Sequence, residues 1–368
     1  MLNKGVKMKK PYWLKKSFLK YSINNMLFSI FSVFISKNRS KNKILVTELD
    51  GIGDTIVRQR VLEIIAKKYG KENVVVLVTF TKEIMEFEGY QYEIFEKNSH
   101  YNFVKLLKLY KKLASYGFYK LYSLEFRSEE KMNFLKKLKF EDIYGFSDGI
   151  FENWKDISNK KLTHSKGEKV LDILYNYTYE LIDKTIKKED LIPKLEISTS
   201  EGEYISVGVG SSDKNKISSP KKLAEFLKAI IVKKSEIKFH ILGNGKDDEN
   251  YFEELQKEIS GDNLINLIGK INIVESTKDI ANSKLFIGFD SGLYNIAYAL
   301  EKKSIIIVSM NRRQHFFHKS NNLKFIHNEL NEKKVEVIED KKYINEDLNS
   351  ISLGVFEKAF DNLLKDRS

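Results

Sequence analysis

Two closely spaced glycines and an aspartate follow the first apolar run of the chain. Residues 43–49 form this run, and the sequence continues Asp-Gly-Ile-Gly-Asp before apolar residues recur at helical spacing. This pattern predicts a buried strand, a tight turn and a helix over 54–69. Because glycine permits sharp turns, Gly51 and Gly53 would let the chain present the Asp54 carboxylate at the strand end, where open α/β sheets bind ligands.

Two other interpretations of this segment follow from the residue types. A dinucleotide-binding loop would need a third glycine at position 56, where the chain has Ile56. A carboxylate in that crevice would also repel a pyrophosphate. Asp54 could instead serve only as a helix N-cap, because a helix N-terminus favours a negative charge. Taken alone, the residues favour the N-cap.

The second half of the chain carries a glycine and serine turn directly after a predicted strand. The turn at 208–212 ends in Ser211 and Ser212, and Lys216 follows shortly before a predicted helix. Backbone amides, hydroxyl groups and a lysine near a helix start suit phosphate oxygens. An ordinary surface turn with a solvated lysine is the alternative, and for this turn alone it is favoured.

Two further turns follow predicted strands in the same half. The two aspartates after the Gly-Asn-Gly turn at 243–245 could contact a ribose or a base, although capping of the next helix is favoured. Asp290, Ser291 and Gly292 follow the buried strand 284–288, and the free amides at the next helix start would attract an anion. Asp290 could also simply cap that helix. This third turn is nonetheless a good candidate for a binding site.

Strands and helices alternate along the chain, as in parallel sheets with crossover helices. The first half predicts strands over 43–49, 73–79, 119–124 and 141–145 and helices over 54–69, 99–116, 128–139 and 165–183. The second half predicts strands over 204–209, 237–242, 264–267, 284–288 and 303–308 and helices over 219–233, 247–259, 274–282, 292–301 and 354–365. The predicted fold class is therefore α/β, with two Rossmann-like domains whose parallel sheets face a central cleft.

Breaks in this pattern predict the domain boundaries. An Ile-Pro-Lys break at 192–194 and a polar Ser-Thr-Ser spacer separate the two series. The predicted segments are a basic amphipathic N-terminal segment, two Rossmann-like domains and a C-terminal helix, at residues 1–40, 41–195, 200–345 and 346–368.

Composition and charge narrow the class of protein. The chain has 368 residues, enough for two domains, and no cysteine, which excludes disulfides, thiolate metal sites and thiol nucleophiles. Residues 1–43 contain eleven Lys or Arg and no acidic residue, and so supply +11 of the net charge of +12. A nucleic-acid-binding enzyme would spread basic residues over its binding face, so no nucleic-acid partner is predicted.

The basic N-terminal segment also contains interleaved aromatic residues and an apolar stretch over 26–35. Ten residues are too few to span a bilayer, and no cleavage site of a signal peptide follows. Lysines interleaved with aromatics are typical of a helix in the headgroup region of an anionic leaflet. A basic arm that packs on its own protein or on a partner is the alternative, and the membrane surface is favoured.

Taken together, these motifs resemble the ADP-heptose:lipopolysaccharide heptosyltransferases of glycosyltransferase family 9. The resemblance extends from about Lys43 to Val308, and the segments at 122–128 and 279–283 are also similar to family sequences. The resemblance rests on three sequence motifs that follow one another along the chain: 43–46 with 52–54, 210–212 with Lys216 and Pro220, and 290–292 with Ala297. The resemblance implies a GT-B fold, with acceptor binding by residues 41–195 and nucleotide-sugar binding by residues 200–345.

The resemblance also implies a reaction, the inverting transfer of a sugar from a nucleoside-diphosphate donor to lipopolysaccharide, lipooligosaccharide or another glycolipid. Asp54 would be the general base that takes the proton of the acceptor hydroxyl, with Gly51 and Gly53 in the acceptor-side loop. The implied donor-binding residues are Ser211, Ser212 and Lys216 at the diphosphate and Asp290, Ser291, Gly292 and Asn295 around the nucleotide. This scheme requires no metal and no cofactor beyond the nucleotide sugar, for which ADP-heptose is one candidate. It implies a cytoplasmic protein, peripheral at the inner face of the cell membrane, acting on a lipid-linked oligosaccharide.

Several positions depart from the family pattern. Asn295 stands where the family usually has histidine, Glu48 where it has arginine, and Lys302 and Lys303 where it has glycine and proline. These departures affect the identity of the donor sugar more than the fold. Asn295 and Glu48 also leave a second class of function open, a non-catalytic GT-B protein that binds a nucleotide or a sugar.

Overall fold

Two parallel β-sheets organise the chain. The computed structural model describes residues 16–35, 42–97, 99–125, 133–146, 160–162, 169–211, 213–309, 320–328 and 346–365. The chain divides into two compact units, the first with Met1–Asp50 and Ile64–Lys166 and the second with Gly51–Glu63 and Gly167–Ser368.

The first unit contains six strands, each parallel to its neighbours. They are β1 Ile44–Glu48, β2 Val74–Val78, β3 Gln91–Ile94, β4 Lys120–Ser123, β5 Asp142–Phe146 and β6 Lys160–Leu162. Their order in the sheet is β3-β2-β1-β4-β5-β6. Every residue of β1 and β2 is buried, which explains why β2 and the first three residues of β1 are continuous apolar runs rather than alternating ones.

Helices cover this first sheet. They are α1 Lys16–Phe31, α2 Ile52–Tyr69, α3 Lys82–Glu88 and α4 Phe103–Tyr116, with short 3-10 helices at Ser32–Phe34, Lys71–Asn73, Ser99–Tyr101 and Asn133–Lys137. The first half of α2, up to Glu63, belongs to the second unit and the remainder to the first. One core cluster joins the sheet to α1, α4 and the last 3-10 helix, through side chains such as Phe28, Leu45, Tyr110 and Phe134.

The second unit repeats this architecture, and its neighbouring strands are again parallel. Its strands are β7 Tyr204–Gly208, β8 Lys238–Leu242, β9 Leu264–Asn266, β10 Leu285–Phe289, β11 Ser304–Ile307 and β12 Leu323–Ile326, in the order β12-β11-β10-β7-β8-β9. Its helices are α5 Val170–Leu181, α6 Pro220–Lys233, α7 Lys246–Glu258, α8 Ile273–Asn282, α9 Gly292–Ala299 and α10 Leu353–Lys365, with 3-10 helices at Lys188–Leu191 and Lys214–Lys216.

Both sheets have the Rossmann strand order. Counted from the first strand of each unit, the order is 3-2-1-4-5-6. The chain therefore changes direction across the sheet between β1 and β4, here named the first switch point, and between β7 and β10, the second switch point. Ligands of open α/β sheets bind outside the strand ends at such points. The predicted fold class of two Rossmann-like domains with parallel sheets is confirmed.

The elements that the sequence did not predict are short. They are the strands β3, β6 and β12 and the helix α3, each of three to seven residues. Each of the three strands lies at the edge of its sheet. The sequences of β3, Gln-Tyr-Glu-Ile, and β6, Lys-Lys-Leu, contain polar residues that interrupt the apolar pattern by which strands are predicted. Of the helix predicted over 128–139, residues 133–139 are described, and they contain the 3-10 helix Asn133–Lys137. Within the described ranges, no helix is long and apolar enough to cross a membrane.

Candidate functional site

A fully buried carboxylate links the two strands of the first switch point. Glu125 follows β4 and is 0% exposed. Its oxygens accept hydrogen bonds from Thr47 Oγ1 at 2.6 Å, from the Leu49 backbone N–H at 2.9 Å and from Ser123 Oγ at 3.0 Å. Charge-assisted hydrogen bonds of this kind are strong. Glu125 therefore fixes the end of β1, a few residues before Asp54. The sequence did not predict this role for Glu125.

The turn after β1 places Asp54 inside the first turn of α2. The helix begins at Ile52, and the Thr55 N–H donates to the Gly51 carbonyl at 3.1 Å. The residue whose carbonyl accepts the first helical bond is the N-cap, so the N-cap is Gly51 and not Asp54. The Asp54 side chain is 57% exposed, and Nη2 of the fully buried Arg58 lies 4.0 Å from its Oδ1. An exposed carboxylate in this place can reach a substrate hydroxyl.

Two glycines bring the starts of α2 and α9 together within the second unit. A Cβ added at Gly53 would lie 2.8 Å from Asn295 Nδ2 and 3.4 Å from the Gly292 Cα. A Cβ added at Gly292 would lie 3.2 Å from the Cβ of Ile52. At Gly53 the contact with the Asn295 side chain, rather than a positive φ, therefore favours glycine. As a consequence, Asp54 and the N-terminus of α9 are close neighbours.

At the second switch point, three predicted donor-binding residues meet. Lys216 Nζ lies 2.8 Å from Asp290 Oδ2, and each of these side chains is 20% exposed. Ser211 Oγ donates to the Asp290 carbonyl at 3.2 Å and accepts from the Asp213 N–H at 3.4 Å. Ser212 lies outside the described residues. The tertiary structure thus joins a turn after β7 to a turn after β10.

The start of α9 carries a buried serine hydroxyl. Ser291 is the N-cap residue, but its side chain makes no capping hydrogen bond, and its buried Oγ has no hydrogen-bond partner among the residues that the structure describes. The side-chain amide of Asn295 donates to the Ser291 carbonyl at 2.9 Å. Buried polar atoms are normally hydrogen-bonded, and free amides at a helix start attract anions. An anionic ligand at this helix start would satisfy both kinds of group.

The second glycine turn of this unit has a local structural role. Asp248 Oδ2 accepts a hydrogen bond from the Asn244 N–H at 2.8 Å, and a Cβ at Gly210 or Gly243 would overlap this carboxylate. Burial raises the pKa of the Asp248 carboxyl group. Asp248 therefore ties the start of α7 to two strand-end turns. The N-cap of α7 is Gly245, without a side-chain capping hydrogen bond, so the predicted capping role of the two aspartates is wrong.

A histidine and an aspartate form a pair that the sequence analysis did not single out. His240 Nδ1 lies 2.6 Å from Asp279 Oδ2, and Ser206 Oγ donates to the other carboxylate oxygen. The ring of Tyr204 stacks on the imidazole with centroids 3.9 Å apart. Both oxygens of Asp279 are therefore used within the protein, and the cluster links α8 to β7 and β8. Among the described residues, no three His, Asp or Glu side chains gather to hold a metal ion.

Fold and strand order define the class of protein as a pair of Rossmann-like units, and comparison with known proteins adds a resemblance to one family. Residues 171–343 match the family model of glycosyltransferase family 9 (heptosyltransferase). The chain is also 31% identical over 137 residues to lipopolysaccharide heptosyltransferase 1 of Campylobacter coli. That alignment covers 37% of this chain and 40% of the length of the relative.

Two solved structures share the fold over nearly their whole length. ADP-heptose lipopolysaccharide heptosyltransferase II of E. coli superposes with a TM-score of 0.67 at 18% identity, covering 89% of this chain and 100% of that one. The family 9 glycosyltransferase of Veillonella parvula gives a TM-score of 0.71 at 16% identity, covering 90% and 99%. The resemblance to glycosyltransferase family 9 that the sequence predicts is confirmed, and so is the GT-B fold.

Proposed function

We propose that the protein is an inverting glycosyltransferase that moves a sugar, heptose or a related one, from a nucleoside-diphosphate donor to lipopolysaccharide, lipooligosaccharide or another glycolipid. The observation that carries this proposal is the close approach of Gly53 to Gly292 and Asn295. It puts an exposed carboxylate, Asp54, beside a helix start whose buried serine hydroxyl has no partner within the described part of the chain. A base for the acceptor and a site for the donor phosphates are thereby neighbours.

In the proposed reaction Asp54 acts as the general base. Its carboxylate takes the proton of the acceptor hydroxyl while that oxygen forms a bond to the anomeric carbon of the sugar. The bond from this carbon to the diphosphate breaks on the opposite face, so the configuration inverts. General-base assistance of this kind contributes roughly 10²–10⁴-fold to the rate.

The second switch point would hold the donor. Lys216, paired with Asp290 across 2.8 Å, would share its charge with the diphosphate and offset the charge that develops on the leaving group. Hydroxyl groups of Ser211, Ser212 and Ser291 and the first amides of α9 would complete the phosphate contacts. ADP-heptose is the first donor to test, because it is named with the E. coli relative.

The proposed acceptor indicates where in the cell the protein would act. A lipid-linked oligosaccharide is presented at a membrane surface, and we propose that the protein works at the cytoplasmic face of the cell membrane as a peripheral protein. Acceptor binding is assigned to residues 41–195 and donor binding to residues 200–345.

A transfer assay tests the proposal. The purified protein is incubated with ADP-heptose and a deacylated lipooligosaccharide, and the product is identified by mass spectrometry and its anomeric configuration by NMR. Asp54→Asn should lower kcat by about 10²–10⁴-fold, with ADP binding and the melting temperature retained. Asp172→Asn, in the first turn of α5, is the matched control and should keep full activity. Full transfer by Asp54→Asn would refute its role as the base.

One observation favours a second candidate, a non-catalytic protein that binds a nucleotide or a sugar. The Asn295 amide, at the position of the family's histidine, already donates to the Ser291 carbonyl. Binding of ADP or UDP in a thermal-shift screen, with no turnover over a broad panel of donors and acceptors, would identify this candidate.

A further inference from the structure

The N-terminal helix α1 is built into the first unit through one of its faces. Asn24, Phe28 and Ser32 recur every four residues and are 9%, 1% and 1% exposed. The Phe28 ring packs edge-to-face on Tyr110 with centroids 5.0 Å apart and on Phe134 at 6.3 Å. This helix is therefore part of the core of the unit, rather than a detachable tail.

The opposite face of α1 is apolar and exposed to solvent. Ile23, Met26 and Ile30 are 47%, 58% and 52% exposed, and the stripe continues through Val33 and Phe34 at 76% and 82%. Their spacing of three and four residues puts them on one side of the helix. Soluble proteins rarely expose contiguous apolar patches of this kind, and such patches usually mark an interaction surface. We name these five residues the outward stripe.

The sequence segment that contains the outward stripe has charge of a single sign. Residues 1–43 carry eleven basic residues and no acidic one. Helix α4, whose Phe103 ring lies 5.3 Å from that of Phe31, contains four lysines and no acidic residue. All four are exposed, and two of them, Lys105 and Lys112, pair with Glu96 and Glu93. An apolar stripe amid basic residues fits the surface of an anionic bilayer, where acyl chains take the apolar side chains and headgroups the lysines.

We propose that the outward stripe inserts into the interfacial region of an anionic bilayer and holds the first unit on it. Helices of this kind bury their apolar face about 5–10 Å deep. Because Phe28 fixes α1 in the core, the whole unit would be held at the surface. The proposed function explains why the protein would bind a membrane, namely to reach a lipid-linked acceptor. Binding of the outward stripe to a bilayer can itself be tested without a sugar donor or acceptor.

Vesicle co-sedimentation of the full chain provides the test. The vesicles are phosphatidylcholine with about 30% phosphatidylglycerol, compared with phosphatidylcholine alone. The triple variant Met26→Gln, Ile30→Gln, Phe34→Gln should bind the anionic vesicles at least about tenfold more weakly, because it removes three apolar side chains from the buried face. Val232→Gln is the control, since Val232 is an 87% exposed apolar residue on α6 of the second unit, and it should bind like the wild type.

A second variant tests the charge without touching the helix. Lys108→Gln with Lys111→Gln should weaken binding to anionic vesicles severalfold and reduce its sensitivity to salt. Equal binding of both variants and the wild type would overturn the proposal, as would equal binding to neutral and anionic vesicles. The same holds if the triple variant only converts an oligomer to a monomer in size-exclusion chromatography, since the stripe would then join two copies. Transfer to a soluble acceptor should be unchanged in the triple variant, which separates this result from a failure of the proposed catalysis.

Discussion

The two switch points have the same strand order and different contents. At the first, the Glu125 carboxylate is 0% exposed and accepts three hydrogen bonds from its own unit, so the space between β1 and β4 is used internally. At the second, Lys216 and Asp290 are each 20% exposed, and Ser291 Oγ has no hydrogen-bond partner in the described ranges. The first switch point thus stabilises a strand end, and the second has polar groups available for a ligand.

This difference shows how one fold can be used in two ways. A buried carboxylate with several donors is a rigid link, because removing it would leave donors unpaired. A partly exposed ion pair can instead exchange its partner for a ligand at modest cost, since solvent screens it. Four variants, in order of expected effect, test this contrast.

The largest effect is expected at the link itself. Glu125→Gln should lower the free energy of unfolding by about 2–4 kcal/mol, because an amide NH₂ would face donors that now bond to a carboxylate. Thr47→Val, which removes one of these donors, should cost about 1 kcal/mol. Urea denaturation measures both, and a Glu125→Gln protein as stable as the wild type would remove the contrast between the switch points.

The contact between the starts of α2 and α9 should give the next effect. Gly53→Ala should destabilise the protein by about 1–3 kcal/mol, because its Cβ would meet the Asn295 amide at 2.8 Å. The double variant Gly53→Ala with Asn295→Ala should recover most of this loss, since it removes the nearest clashing atom. Gly354→Ala is the matched control.

Gly354, like Gly53, is the second residue of its helix, but nothing lies within 4 Å of an added Cβ. Gly354→Ala should therefore stabilise the protein by about 0.5–1 kcal/mol. If Gly53→Ala stabilised it equally, the two helix starts would not be in close contact.

A smaller effect is expected on ligand affinity at the second switch point. Lys216→Ala should weaken the binding of ADP about tenfold or more in isothermal titration calorimetry, because a charged hydrogen bond to phosphate is lost. Lys214→Ala is the matched control, since this neighbouring lysine is 70% exposed and pairs with Asp247 at 2.8 Å. The same affinity in both variants would argue against phosphate binding by Lys216.

The smallest effect concerns alkaline pH. Burial, with a further contribution from the Asp290 carboxylate, raises the pKa of the Tyr294 phenol well above its ordinary value. Above pH of about 10 the unfolded chain loses this proton while the folded chain keeps it, so stability falls as the pH rises. Tyr294→Phe should flatten this fall by at most about 1.4 kcal/mol per pH unit, measured by urea denaturation at several alkaline pH values. Tyr175→Phe on α5 is the control, because Tyr175 is partly exposed.

Much of the fold could be predicted because it is encoded locally. The apolar runs of β1 and β10 and the helical periodicity after them are properties of adjacent residues. The short edge strands β3, β6 and β12 escaped prediction, since three or four residues that include lysine, glutamine or glutamate give no distinctive pattern. Ser211, Lys216 and Asp290 were recognised as candidates from their turns, but the ion pair between two of them was not.

By itself, the sequence determined which segments form strands and helices, which turns carry polar groups, and where the positive charge lies. Only the tertiary structure decided which side chains meet. Glu125 bonds to Leu49 across 76 residues and Ser211 to Asp290 across 79, and both contacts depend on which strands are neighbours in the sheet. Strand order likewise left the Glu125 carboxylate buried between β1 and β4, and the Asp290 carboxylate partly exposed just before α9. Local periodicity fixes the direction of a side chain within its element, but the neighbour it faces is set by the packing of elements distant in the chain.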